Sequence, residues 1–122
     1  MLFVCYPKCS TCKKARKWLD ENGISYEVRD IKEDRPTAAE LKSWQQKSGL
    51  PVRGFFNTSG MLYREMGLKD RLGSMSEDEM FELLATDGML VKRPIAVDET
   101  KVLVGFKESE WKEAAGISQN GS

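Results

Sequence analysis

The chain has 122 residues, of which 40% are hydrophobic and 31% charged, and its 19 basic and 19 acidic side chains cancel to a formal net charge of zero. A balanced charge argues against nucleic-acid or membrane-surface binding, which draw on a basic excess, and no apolar run approaches the ~20 residues that cross a bilayer. Histidine is absent, which excludes cysteine–histidine and histidine general-base catalysis together with histidine-containing zinc sites; the three cysteines cannot complete a four-cysteine zinc site either.

In chain order, the apolar run Met1-Leu2-Phe3-Val4-Cys5-Tyr6 predicts a short buried strand closed by Pro7. Cys9-Ser10-Thr11-Cys12 follows, and then a helical pattern over 11–22, with Ala15, Trp18 and Leu19 inside and Asn22-Gly23 as its stop. Residues 24–31 alternate apolar and polar, which predicts a second strand and completes a right-handed βαβ unit. After a charged loop at 32–35, Pro36-Thr37-Ala38-Ala39-Glu40 opens a helix to about 47, with Leu41 and Trp44 inside. Residues 52–60 read as a short helical turn followed by an Asn57-Thr58-Ser59-Gly60 loop, and 63–68 as a brief helix ending at Gly67. Ser76 with Glu79 three residues on is a capping box for a helix over 77–86 with a core face of Met80, Leu83 and Leu84. Residues 89–97 lead into a strand that pairs, through a turn at 98–101, with 102–106; a final helix covers 109–115. The pattern is α/β: a βαβ unit, an all-helical insertion at about 36–88, then a β-hairpin and a C-terminal helix. That order is a thioredoxin-like fold, expected as a single domain over 1–115 with a flexible tail at 116–122.

A strand that runs into Cys-x-x-Cys and then a helix is the sequence form of a redox turn. Cys9 falls at or just before the first helical turn, where unpaired N–H groups and the helix dipole favour an anion. Lys8, Lys13 and Lys14 add positive charge, so a thiolate forms there more readily than in a free cysteine. Cys12, one turn further on, can close a disulfide on Cys9 and release whatever Cys9 had attacked. The plainer readings are half a metal site or two incidental thiols for the pair, and a solvated face for the lysines. Cys5, in the apolar strand, reads as a small core residue. Arg93-Pro94 reads either as an arginine at a strand entrance beside a proline in the permitted first strand position, or as a site element. In thioredoxin-like folds a cis-proline at the start of this strand faces the Cys-x-x-Cys turn, which would bring Arg93 to the Cys9 thiolate. Trp18, Trp44, Phe55, Phe56 and Phe106 are expected in or near the core. Catalytic candidates are therefore Cys9, Cys12 and Arg93, and substrate contacts are expected from Lys8, Ser10, Thr11, Asn57 and Pro94, with no metal.

Four elements, Tyr-Pro-Lys-Cys-x-Thr-Cys, Phe-Phe-Asn-Thr-Ser-Gly, Asp-Gly-Met-Leu-Val-Lys-Arg-Pro and Val-Gly-Phe-Lys, resemble the arsenate reductase (ArsC)/Spx-like family over nearly the whole chain, closest to its small YffB/YusI-like branch. The resemblance implies a thioredoxin fold with a helical insertion, a cis-proline at Pro94 and a reactive thiol at Cys9. Glutaredoxin-linked arsenate reductases use one cysteine and three arginines; Arg93 matches one arginine, whereas Asn57 and the region of Gly105 stand at the other two. Each missing charge-assisted bond is worth ~1.5–3 kcal/mol, so true arsenate reduction is not expected. Two functions are implied. One is a thiol-dependent oxidoreductase with no bound cofactor, drawing electrons from glutathione or another low-molecular-weight thiol, or from a thioredoxin- or glutaredoxin-type reductant. The other is an Spx- or MgsR-type redox-sensing transcriptional regulator that binds the RNA polymerase alpha subunit. The cytoplasm is the expected compartment for either.

Overall fold

The computed structural model describes residues 1–115, so the expected tail at 116–122 lies outside the described residues. The opening apolar run forms β1 (Leu2–Cys5), in which Phe3, Val4 and Cys5 are all buried. A strand apolar on both faces belongs at the centre of a sheet covered on both sides. β1 pairs parallel with β2 (Glu27–Asp30) and antiparallel with β3 (Ile95–Val97), and β3 pairs antiparallel with β4 (Val102–Val104), giving the order β2-β1-β3-β4. This mixed sheet with helices is the expected thioredoxin-like α/β arrangement. The second strand starts three residues later than the alternation suggested, because the Ile24 N–H donates to Leu19 O at 3.0 Å and finishes the preceding helix.

That helix, α1 (Ser10–Glu21), lays Cys12, Ala15, Trp18 and Leu19 on one face of the sheet. The last helix, α6 (Glu108–Ala114), adds Trp111 to the same face. The rings pack edge to face: Phe106 and Trp111 stand 5.1 Å apart at 86°, and Trp18 and Trp111 6.1 Å apart at 87°. Such geometry suits the ring quadrupoles.

The opposite face carries the helical segment between β2 and β3: α2 (Ala38–Ser48), α3 (Met61–Glu65), α4 (Leu68–Arg71) and α5 (Glu77–Thr86), joined by short 3-10 turns at Val52–Phe55, Leu72–Ser74 and Gly88–Leu90. Thr37 and Ser76 cap α2 and α5 with reciprocal capping boxes, each satisfying N–H groups that a helix start leaves unpaired. Two expectations are corrected by this segment. The helix expected at 63–68 starts earlier, as α3, and ends as expected at Gly67, whose φ of +62° breaks the helical run; a second short helix, α4, then begins at Leu68. The core face of α5 is Met80, Phe81 and Leu84, with Leu83 half-buried, because α5 packs against α2 and turns Phe81 inward.

A short backbone link joins the insertion to the sheet. Phe56 and Val91 form an antiparallel bridge, flanked by Asn57 N–H to Leu90 O and Lys92 N–H to Phe55 O, both 2.8 Å. It ties the insertion to the segment that carries Arg93 and leads into β3.

Candidate active site

Cys9 is the N-cap of α1, with extended backbone (φ −78°, ψ 127°). It stands ahead of the helix, where the first N–H groups point outward. Its thiol is half-buried and meets opposing influences. Burial raises its pKa, but the backbone N–H and the thiol of Cys12, the backbone N–H of Thr11 and the Arg93 guanidinium outweigh that and hold Cys9 below the usual thiol range. Cys12 is the reverse case. It is 2% exposed, and burial pushes its thiol up to about 12, although the Tyr6 N–H donates to its sulfur at 3.4 Å. A thiolate is the reactive form of cysteine, so one helical turn holds one thiol that ionises more readily than usual and one that ionises less readily.

Arg93 is fixed from behind. Its Nη1 donates to the carbonyls of Met89 (3.2 Å) and Val91 (3.4 Å), and its guanidinium carbon lies 5.4 Å from the centre of the Tyr6 ring. The Arg93–Pro94 peptide is cis. An open pocket of about 500 Å³ brings Cys9, Ser10, Thr11, Asn57 and Arg93 together. Lys8, Lys13 and Lys14 are exposed and lie outside the pocket lining, and Pro94 is buried and also outside the lining. The positive charge at the pocket comes instead from Arg93 with Lys92 and Lys107, two lysines that the sequence reading did not single out. Their signal was in plain view: Lys92 precedes Arg93, and Lys107 closes the Val-Gly-Phe-Lys element.

Asn57 sits in a tight turn. The Gly60 N–H donates to Asn57 O at 3.1 Å, and a Cβ on Gly60 would come within 2.6 Å of the Asn57 amide nitrogen. Gly105 closes the far wall at φ +76°, in the left-handed region that favours glycine. Its N–H donates to Pro94 O (2.8 Å) and its carbonyl accepts from the Trp111 indole (3.1 Å). A Cβ there would meet the Lys92 side chain at 3.1 Å, so a longer side chain at this point is strained and crowds Lys92.

With this geometry in view, the chain compares closely with known proteins. A model of the ArsC family matches residues 5–114. The uncharacterized protein YusI of Bacillus subtilis is 55% identical over 93% of this chain and 96% of its own. The global transcriptional regulator Spx of Listeria innocua is 30% identical over 85% of this chain and 78% of its own. The crystal structure of an ArsC family related protein from Bacteroides fragilis superposes with a TM-score of 0.90 at 57% identity, covering 92% of this chain and 94% of that one.

Proposed function

The chain belongs to the ArsC family, and from that footing we propose that it is a thiol–disulfide oxidoreductase in which Cys9 is the nucleophile and Cys12 the resolving thiol. The observation that carries this reading is the opposite tuning of the two thiols within one helical turn. The Cys9 thiolate attacks one sulfur of a substrate disulfide, forms a mixed disulfide and expels the other half as a thiolate. Cys12 then loses its proton, attacks the Cys9 sulfur and releases the bound half, leaving a Cys9–Cys12 disulfide. Two electrons from glutathione, another small thiol, or a thioredoxin- or glutaredoxin-type protein restore both thiols.

Burial keeps Cys12 protonated at neutral pH, so resolution requires its deprotonation, and its rate should rise as pH increases above neutrality. Ser10, Thr11 and Asn57 line the pocket around the substrate sulfur, and Arg93, Lys92 and Lys107 favour substrates that carry negative charge. Arsenate is a poor candidate: it would meet one guanidinium fork and two point-charge ammoniums, with Asn57 and Gly105 where two more forks would serve. The proposed setting is the cytoplasm, where small thiols keep such a pair reduced.

The test is trapping. Cys12→Ser incubated with glutathione disulfide should accumulate a one-to-one glutathione adduct on Cys9, seen as an intact-mass shift, while the wild-type protein turns the disulfide over without storing the adduct. Failure of Cys12→Ser to form the adduct would sink the oxidoreductase reading. The likeness to Spx favours one second reading, a redox-sensing regulator whose Cys9–Cys12 state alters binding to the RNA polymerase alpha subunit. That reading requires binding that differs between the oxidised and reduced protein, without turnover.

A further inference from the structure

The two-thiol cycle leaves one nucleophilic group unused, the thiol of Cys5. Successive residues of a strand point to opposite faces: Val4 joins the core on the insertion side, whereas Phe3 and Cys5 join the cluster on the α1 side. Cys5 and Cys12 are each 2% exposed within that one cluster, and half-buried Cys9 packs against it. The contact between strand end and helix turn is close. The N–H that donates to Cys12 Sγ at 3.4 Å belongs to Tyr6, the residue bonded to the Cys5 carbonyl carbon. In a planar trans peptide the preceding Cα lies on the same side as the N–H, which places Cys5 Cα within about 5 Å of Cys12 Sγ. In a disulfide one Cα lies only three bonds from the far sulfur, a span of the same order, so this pair stands close to disulfide reach. The thiols also sense one another: charge on Cys9 bears on Cys5, and charge on Cys5 bears on Cys12.

We propose that Cys5 is a second internal partner of Cys12. This rests on the Cys9–Cys12 disulfide of the oxidoreductase reading. In that disulfide the Cys5 sulfur attacks Cys12 Sγ; a Cys5–Cys12 bond forms, the Cys9–Cys12 bond breaks, and the Cys5 proton passes to the departing Cys9 sulfur, which ionises at the open pocket. The exchange is redox-neutral and needs no further oxidant. Its direction follows from leaving-group strength, since the sulfur best held as an anion is the one expelled, and that sulfur is Cys9. The oxidised protein then stores its disulfide in the core and regains an open nucleophile. A substrate captured by Cys9 in this state has no resolving thiol and stays attached.

Trypsin gives a direct readout, because cleavage after Lys8 and Lys13 separates peptide 1–8, with Cys5, from peptide 9–13, with Cys9 and Cys12. The wild-type protein is oxidised with one equivalent of diamide, quenched in acid, blocked with N-ethylmaleimide and digested. A Cys9–Cys12 bond stays inside peptide 9–13. A Cys5–Cys12 bond links the two peptides and leaves Cys9 blocked. The expected result is the linked pair, blocked at Cys9, in at least about one-tenth of the oxidised protein, and its loss in Cys5→Ala, which keeps the disulfide inside 9–13. Oxidised wild type holding its disulfide only inside 9–13, or linked through Cys9, overturns the inference and leaves the two-thiol cycle standing. If peptide 9–13 carries no disulfide in either protein, the cycle itself fails.

Discussion

On one face of the sheet, α1 and α6 enclose a small cluster of rings and thiols around Trp18 and Trp111; on the other, the insertion buries a larger core from α2 to α5 against Val4, Ile31 and Ile95. The candidate site lies where the two faces meet. Cys9 and Cys12 belong to the α1 side. Asn57, Lys92 and Arg93 are placed by the Phe56–Val91 bridge from the insertion side. The division separates two jobs: the ring-and-thiol face sets where the sulfur atoms stand and supplies the α1 hydrogen bonds to Cys9, and the insertion face adds side-chain charge. Variants on the first should alter stability and thiol geometry, and variants on the second should alter reactivity and selectivity with the fold intact.

The largest effect is expected at Trp111, which is 2% exposed and touches Phe3, Trp18 and Phe106. Trp111→Ala should cost about 3–5 kcal/mol, read as a fall in the urea midpoint. Trp111→Phe keeps a ring but removes the indole donor to Gly105 O, and should cost about 1–2 kcal/mol. A loss below about 1 kcal/mol in Trp111→Ala would mean that the insertion core alone holds the sheet, and the contrast between faces would collapse.

Arg93→Ala comes next and should leave stability nearly unchanged. One of the groups that hold Cys9 below the usual thiol range is removed, so the thiol rises toward that range and less of it is ionised at pH 7. The alkylation rate at pH 7 should fall about tenfold, the worth of one charge-assisted hydrogen bond at a half-exposed site. Lys8→Ala, Lys13→Ala and Lys14→Ala serve as controls. If any of them slows Cys9 more than Arg93→Ala does, the charge comes from the α1 side and the division of labour is wrong.

The contrast also explains what could be read without a structure. The α1 side is contiguous in sequence, so strand, Cys-x-x-Cys and helix announced themselves, and the amphipathic pattern placed Ala15, Trp18 and Leu19 correctly. Trp111 escaped notice because a seven-residue helix shows too little periodicity to reveal which residue it buries. The insertion side is assembled over distance. Nothing local in residues 52–60 says that Phe56 bridges to Val91, and Lys107 reaches the pocket only because β4 folds back beside β3. Gly67 ends α3 as its sequence signal suggested, but nothing local announced that a second short helix, α4, begins at the next residue. Of the two readings open for Lys8, Lys13 and Lys14, their exposure and their place outside the pocket lining fit the solvated face.

The insertion's grip on the sheet edge gives a smaller, pH-dependent effect. Arg29 on β2 forks onto Glu40 of α2 at 2.6 and 2.9 Å, while Glu40 also accepts from the Thr37 N–H at 3.0 Å. The Arg29 hydrogen bonds, against some burial, lower Glu40 from 4.5 to about 2. A carboxyl depressed in the folded state contributes stability that is full above its unfolded value and fades as pH falls from about 4.5 to about 2. The shift corresponds to about 3 kcal/mol before screening; with the Glu40 side chain 36% exposed, about 1 kcal/mol survives. Urea midpoints should thus separate wild type from Glu40→Gln by about 1 kcal/mol at pH 6 and converge near pH 2. A gap that stays constant with pH would assign the effect to uncharged contacts of the Glu40 side chain and not to the ion pair.

The smallest expected effect bears most directly on the site. Lys92 and Lys107 line the pocket but reach into water, so each contributes a screened field and not a fixed bond. Their effect should appear only for charged reagents. Iodoacetate carries a carboxylate and iodoacetamide does not, yet both alkylate the same sulfur, so the ratio of their rates at Cys9 cancels any change in the thiolate fraction. Replacing both lysines by glutamine should lower the iodoacetate-to-iodoacetamide ratio about two- to fourfold at low salt and leave the iodoacetamide rate almost unmoved. In about 0.5 M salt the wild-type ratio should fall toward that of the variant. A ratio insensitive to both the lysines and the salt would leave Arg93 as the sole source of charge at Cys9. In that case the insertion side would act through one guanidinium, and any preference for acidic substrates would have to come from contacts beyond the pocket.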